Sequence, residues 1–359
     1  MSAYEIPKTQ WAAVKTTRTS IERVVMKLID VPRPKASQIL LKITYTGLCG
    51  SDKSFLCDDW EAFGINMSPE TEGIAGHEGV GVVVAVGEDM KGRWNIGDRA
   101  GVKWIASVCG KCDFCQDGEE VHCLNQTNSG FTAPGTFQRY CVADGQCTTK
   151  IPDTITDQEA APILCGGVTA YAACKKSGVR PGGWIVIPGA GGGLGHLAVQ
   201  YAHAMGMRVI AVDTGERKRQ LCLDLGADAF IDFATTEDTV GEVKKLTKHG
   251  AHGVLVIASS KEAFTTAPKF LRPKGTVVVI GLPVDTSVVM GVPPGQMTQM
   301  ELRVVGSFAA IKKEVEEAFD LSIRGLPIVS EGELEELDSW IDKLQGGQVA
   351  GRVVLRVAN

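Results

Sequence analysis

The sequence lacks any apolar run near the ~18 residues that a membrane-spanning helix requires, because glycine clusters or charges interrupt each candidate. It lacks a basic segment leading into an apolar stretch at its start, Met1-Ser-Ala-Tyr-Glu-Ile-Pro-Lys, so a secretory signal is not expected. It also lacks an excess of positive charge: 37 Lys and Arg stand against 42 Asp and Glu, for a net charge of -5. Binding to a phosphate backbone depends on clustered cations, so nucleic acid is not an expected partner, and without a spanning run neither is a membrane. No internal repeat and no low-complexity segment appears.

What is present is a folded chain. Hydrophobic residues make up 44% and charged residues 22%, enough apolar content to build cores. At 359 residues the length suits two domains of about 150 residues better than one. Eleven cysteines without an export signal point to metal ligands or ordinary buried thiols, since reducing compartments do not sustain structural disulfides. The expected location is the cytoplasm.

The character of the chain changes near Trp184. Trp-Ile-Val-Ile-Pro reads as an apolar strand, Gly189 to Gly195 as a glycine turn, and Leu194, Leu197, Ala198, Tyr201, Ala202 and Met205 as one helical stripe. Apolar runs at 208–213, 229–233, 253–258, 276–281 and 303–308 alternate with helix-like segments. Strands without polar alternation are typical of a parallel sheet covered on both faces, so residues 162–308 are expected to form a doubly wound α/β domain. The first 150 residues instead carry short strand-like runs, 39–46, 80–86 and 99–104, broken by Gly, Pro and Asp, which predict an antiparallel β domain. Two amphipathic helices near 312–324 and 333–344 and a strand at 352–357 follow, and periodicity alone does not assign this tail.

Four thiols lie within 15 residues: Cys109, Cys112, Cys115 and Cys123. Four thiolates close a tetrahedral zinc shell, the pattern of a structural site that steadies a polar lobe with little apolar surface. A second set is dispersed: Cys49, His77 and Cys165. Two Cys and one His leave a fourth zinc position open, which is what catalysis requires. Asp52 and Glu78 are the candidate carboxylates beside that zinc, one of which would orient the His77 ring. The glycines 189, 191, 192, 193 and 195, with Leu194, depart by one residue from the strict dinucleotide spacing. Their context supports them: they follow a strand, open a helix, and precede a second strand ending in Asp213, where a carboxylate accepts from the ribose hydroxyls and repels a 2'-phosphate. NAD is the expected cofactor, although Arg217 and Lys218 stand nearby.

Together with Gly-His-Glu-Gly at 76–79, Gly-Asp at 97–98, Lys103-Trp104, Ala-Pro-Ile-Leu-Cys at 161–165, the run from Gly192 to Ala202 and Gly-Ala-His-Gly-Val at 250–254, these residues resemble, nearly end to end, the zinc-containing medium-chain dehydrogenases, above all the fungal tetrameric alcohol dehydrogenases. The resemblance implies a GroES-like β domain (1–161 with 309–359) interrupted by a Rossmann domain (162–308). It implies two zinc ions per chain, NAD(H), an alcohol or carbonyl substrate, and a homotetramer or homodimer. Cys49, His77 and Cys165, with Glu78 beside them, would hold the catalytic zinc, and Ser51 would pass the substrate proton onward. Thr169 and Leu282 would meet the nicotinamide, Lys218 would assist Asp213, Arg352 would meet the pyrophosphate, and Trp60 and Trp104 would wall the substrate pocket.

Three departures from the family pattern follow. Gly50 replaces the usual Arg or His that grips the pyrophosphate, removing a charge-assisted hydrogen bond worth roughly 1.5 to 3 kcal/mol. Ser54 stands where the proton relay commonly ends in histidine, so a serine or water chain would carry the proton. The stretch from Trp60 to His77 is longer than in the ordinary ethanol enzymes and borders the substrate site. These departures keep two alternatives open: a pathway-specific reductase of a larger carbonyl or activated double bond, and a zinc-stabilised binding protein without catalysis.

Overall fold

The computed structural model describes residues 4–16, 22–322 and 330–357. The chain divides into two compact units, Met1–Cys165 with Ile311–Asn359, and Gly166–Ala310. Among the described residues no helix is long and apolar enough to cross a membrane.

The first unit is built on the strand Gln38–Leu48, which pairs antiparallel with Gly79–Val86, Tyr140–Asp144 and Val353–Arg356. Its apolar side chains Ile39, Leu41, Ile43 and Leu48 enter a core with Phe137, Val83, Val353 and Leu355. The C-terminal residues therefore complete the sheet begun by the N-terminal ones. One pair departs from the antiparallel expectation: Ser330–Glu333 runs parallel to Val353–Arg356. Parallel neighbours need a crossover, and the helix Leu337–Gln345 supplies it, burying Leu337 and Ile341. The other tail helix covers Lys312–Ser322; the two further residues expected in it, 323 and 324, lie outside the described residues.

The second unit holds six parallel strands in the spatial order Ala229–Asp232, Arg208–Asp213, Trp184–Pro188, Ala251–Val256, Leu271–Val279 and Arg303–Gly306. The order reverses beside Trp184–Pro188, so the carboxyl ends of that strand and its neighbours form the switch point at which such sheets bind ligands. Every residue of Trp184–Pro188 is buried, as is the length of Arg208–Asp213 after Arg208, which explains the absence of polar alternation. The helix Gly195–Ala204 is buried more widely than its stripe predicted, because His196 and Gln200 are enclosed as well.

Three thiols belong to these cores rather than to any metal. Burial pushes Cys141, Cys174 and Cys222 up to about 12, and the thiolate is the reactive form. Native protein treated with iodoacetamide at pH 8 is expected to carry no label at these three positions by peptide mass mapping.

Candidate metal centres and the glycine turn

Cys49 follows the strand Gln38–Leu48 and caps the helix Gly50–Leu56; its side chain accepts from the backbone N–H at position 52. Asp52 returns the bond by accepting from Cys49 N at 3.0 Å, and the same carboxylate accepts from Gly76 N at 3.1 Å and from His77 Nδ1 at 2.8 Å. One fully buried acid thus ties two distant chain segments together and turns His77 Nε2 inward. Cys165 lies in the single π-helical turn Ile163–Gly167, a distortion common at functional sites. Its Sγ is 3.2 Å from His77 Nε2.

Cys49, His77, Glu78 and Cys165 place their ligand atoms within 4.8 Å of one another. Tetrahedral zinc with arms of about 2.0–2.3 Å separates its ligand atoms by roughly 3.3–3.8 Å, so the donor set fits this ion. The electrostatics ask for a cation. The hydrogen bond from Cys165 draws Cys49 well below the usual thiol range, while the same bond and burial hold Cys165 well above it. Burial opposes charge on His77, yet Asp52 raises it well above the ordinary imidazole value. Two sulfurs sharing one proton are the arrangement a divalent ion resolves by ionising both. Replacing Asp52 by Asn is expected to weaken zinc affinity at this centre roughly 10- to 100-fold, read by competition with a chromogenic chelator.

Arg352, expected at a pyrophosphate, pairs within its own unit with Glu78. Its guanidinium is 4% exposed and commits Nε and an Nη atom to the Glu78 carboxylate, with Nε at 3.3 Å. A cation enclosed in low dielectric pairs with the nearest carboxylate, and here that is Glu78, whose own value burial lifts to about 7 against the pull of Arg352. Gly47 makes this possible, because a Cβ there would overlap Glu78 Oε2. Sequence reading passed over Gly47, whose only signal is its place two residues before Cys49.

Ser51 lies in the first turn of the Gly50–Leu56 helix, and Ser54 is buried on it with its hydroxyl donating to Asp59 Oδ2 at 2.9 Å. Lys53 pairs with the same carboxylate. Trp60 is 8% exposed and edge-on to Phe55, at 5.3 Å between centroids. Trp104 meets the His77 ring edge-on at 5.4 Å. Phe55 and Phe131, which no sequence motif marked, stack with Trp104.

The lobe thiols gather as their spacing predicts. Cys112 and Cys115 lie 3.5 Å apart and Cys123 and Cys109 3.6 Å, far beyond the ~2.05 Å of a disulfide and close to the edge of a zinc tetrahedron. Backbone N–H groups of Lys111 and Cys112 draw Cys109 down to about 6, while burial and the neighbouring thiols push Cys115 up to about 12. Four thiols cannot all ionise here without a cation. Removing metal from this lobe with a strong chelator is expected to loosen 109–123, seen as new proteolytic cleavage confined to that segment.

In the second unit the turn between Trp184–Pro188 and Gly195–Ala204 requires its glycines. Gly189 has φ of 83°, and a Cβ at Gly195 would overlap Gly189 O. Asp213 ends the next strand, accepts from Gly191 N at 2.8 Å and from Lys218 Nζ at 3.0 Å, and so joins the turn to the acid and its lysine. Gly192, Gly193 and Leu194 complete the turn. Thr169 lies on the helix Val168–Ser177, and Leu282 is 57% exposed beyond the strand Leu271–Val279.

A buried imidazole and two thiols beside the carboxylate of Glu78, in a chain that also carries a parallel sheet with a phosphate-type turn, define a metal-dependent dehydrogenase. Residues 35–153 match the alcohol dehydrogenase GroES-like domain and residues 193–324 the zinc-binding dehydrogenase family. The alcohol dehydrogenase of Schizosaccharomyces pombe is 41% identical over 352 residues, 98% of each chain. Alcohol dehydrogenase 1 of Emericella nidulans is 39% identical over 98% of this chain and 99% of its own. Among solved structures, the acetophenone reductase of Geotrichum candidum in complex with NAD is 30% identical, covers 98% of both chains and superposes with a TM-score of 0.83. The chain belongs to the zinc-dependent alcohol dehydrogenase family, and is an oxidoreductase.

Proposed function

We propose that this alcohol dehydrogenase is NAD(H)-linked, holds its catalytic zinc on Cys49, His77 and Cys165, and acts on alcohols and carbonyl compounds larger than ethanol and acetaldehyde. The observation that carries the reading is the Asp52-braced triad, whose fourth neighbour among the described residues is the Glu78 carboxylate rather than a third thiol or a second imidazole. Zinc bound there supplies Lewis acidity to a substrate oxygen. NAD(H) bound at the glycine turn supplies the hydride chemistry. Asp52 keeps the His77 tautomer fixed, Ser51 passes the substrate proton outward, and the bonded Ser54–Asp59 pair takes the place of a relay histidine. Glu78, in the same donor group, stays paired with Arg352, which would also reach the pyrophosphate of the bound cofactor. Thr169 and Leu282 are the proposed nicotinamide contacts. Assembly as a homotetramer or homodimer in the cytoplasm belongs to the same proposal, and light scattering in solution reads the assembly.

The preference for NAD rests on Asp213. Both its oxygens accept hydrogen bonds and Lys218 neutralises it only in part, so a 2'-phosphate would meet a fixed negative charge. Asp213→Ser is expected to narrow the NADH over NADPH ratio of kcat/KM at least about tenfold, the value of one charged hydrogen bond. An unchanged ratio would remove Asp213 from cofactor choice. Gly50 gives the complementary test. Nothing lies within 4 Å of a Cβ built there, so Gly50→Arg fits, and it is expected to tighten NADH binding by about tenfold or more, read by fluorescence titration.

The reductase alternative draws support from one observation. The partly buried aromatic faces beside His77 are wider than a two-carbon substrate, and the Geotrichum relative is named for a phenyl ketone.

A further inference from the structure

We propose that Lys103 is a reversible covalent site for small uncharged aldehydes, which it holds as an imine in a cavity of the first unit separate from the metal group. The inference rests on the dehydrogenase reading only for the source of the aldehyde. In the Lys103-Trp104 motif the indole meets His77, whereas the amine has no part in the metal site.

The cavity has a volume of about 760 Å³, within the ~300–1,000 Å³ of small-molecule sites. Cys49, His77, Glu78 and Cys165 do not line it. Its wall carries Lys103, Cys147, Thr148 and Ser129 beside the buried apolar side chains of Ile105 and Ala143. The backbone under the lysine is fixed, because Ser129 Oγ donates to Lys103 O at 2.9 Å and Ser129 N to Trp104 O at 2.9 Å. Lys103 Nζ donates to the Cys147 carbonyl oxygen, and Cys147 N is tied in turn to Asp144 Oδ1 at 3.0 Å. Among the described residues Lys103 forms no ion pair. Burial pushes its amine below the usual lysine range, with Lys312 adding to the effect and Cys147, Glu120 and Asp144 pulling against it.

A neutral lysine amine is a nucleophile towards carbonyl carbon. The nitrogen attacks the aldehyde carbon, a C–N bond forms, and the carbonyl oxygen takes up a proton as the nitrogen loses one. The hydroxyl then leaves as water with the second amine proton, and a C=N bond remains. No oxidant or reductant is consumed, and water reverses the step. The surroundings favour an uncharged carbonyl over an acid. Asp144 lines the cavity and Glu120 acts on the Lys103 charge, so a carboxylate ligand would meet two like charges. Lys35 lines the same cavity from an exposed position and supplies the internal comparison.

The test treats zinc-loaded full-length protein at about pH 7, where an ordinary lysine is almost wholly protonated, with propanal and dimethylamine–borane. The borane reduces an imine to a stable propyl-lysine, and peptide mass mapping follows each position with time. Lys103 is expected to gain the propyl group about fivefold faster than Lys35, or more. Unfolding in urea is expected to bring the two rates to within about twofold, since the enclosure is then lost. Lys103→Arg, which keeps the charge and a donor for Cys147 O but forms no imine, should lose that adduct and no other. A Lys103 rate equal to or below that of Lys35 in the folded protein overturns the proposal, and a preference that survives unfolding overturns its assignment to the cavity. Preferential labelling of Lys103 in protein that turns over no aldehyde with NADH supports the site while defeating the NADH-linked reading; turnover without that preference does the reverse.

Discussion

Cys49→Ala is expected to lower kcat/KM by roughly 10³- to 10⁴-fold, the loss of several kcal/mol of Lewis-acid stabilisation, while the zinc content falls from two ions per chain to one. Three facts set this expectation. Cys49 is one of the three Cys and His donors at the open group, so its removal leaves two. Its backbone N–H remains bonded to Asp52, so the helix Gly50–Leu56 keeps half of its cap. The lobe thiols are a separate group, so a metal held there is expected to stay. Circular dichroism and the melting curve should therefore stay close to wild type, measured beside metal analysis and steady-state kinetics. Cys112→Ala gives the opposite pattern, with one zinc lost, local loosening of the lobe, and the triad intact.

The second large effect concerns stability. Arg352→Met leaves Glu78 buried and unpaired, and breaking a buried ion pair from one side costs about 3–5 kcal/mol. Glu78 is fully enclosed and Arg352 nearly so, so water cannot replace the lost partner. Urea unfolding of the variant should shift to lower midpoint, and the added change Glu78→Gln should recover most of the loss, because removing both charges is far cheaper than removing one. If the single change costs nothing, Arg352 is not the partner of Glu78 in solution, and its charge is free for the phosphate role the family resemblance suggested.

The contrast between these residues shows what the sequence could express. Four lobe cysteines within one short segment announce a metal by spacing alone, since local chain geometry holds them together. The doubly wound sheet was equally legible, because burial on both faces writes continuous apolar strands such as 184–188. The triad was legible only as a set: Cys49, His77 and Cys165 are separated along the chain, and each alone reads as an ordinary core residue. Contacts without a period left no trace. The Glu78–Arg352 pair spans 274 positions, and Phe55 meets Phe131 only through the fold. The parallel pair formed by Ser330–Glu333 and Val353–Arg356 was missed for a related reason, since strand direction depends on the crossover helix rather than on the strands' own pattern. Trp104 falls outside the strand expected to end on it, because Arg99–Val102 stops two residues earlier and Ile105 opens a separate strand of another sheet; between them the indole meets His77.

One measurement tests the catalytic metal centre most directly: zinc per chain, by elemental analysis of protein purified without chelator, taken with NADH consumption by the same sample on a panel of aldehydes and ketones. Two zinc ions per chain with NADH-linked turnover is the predicted result. One zinc ion held by the lobe, with no turnover on any aldehyde or ketone, would contradict it, because the braced Cys49–His77–Cys165 group would then not be a catalytic metal centre.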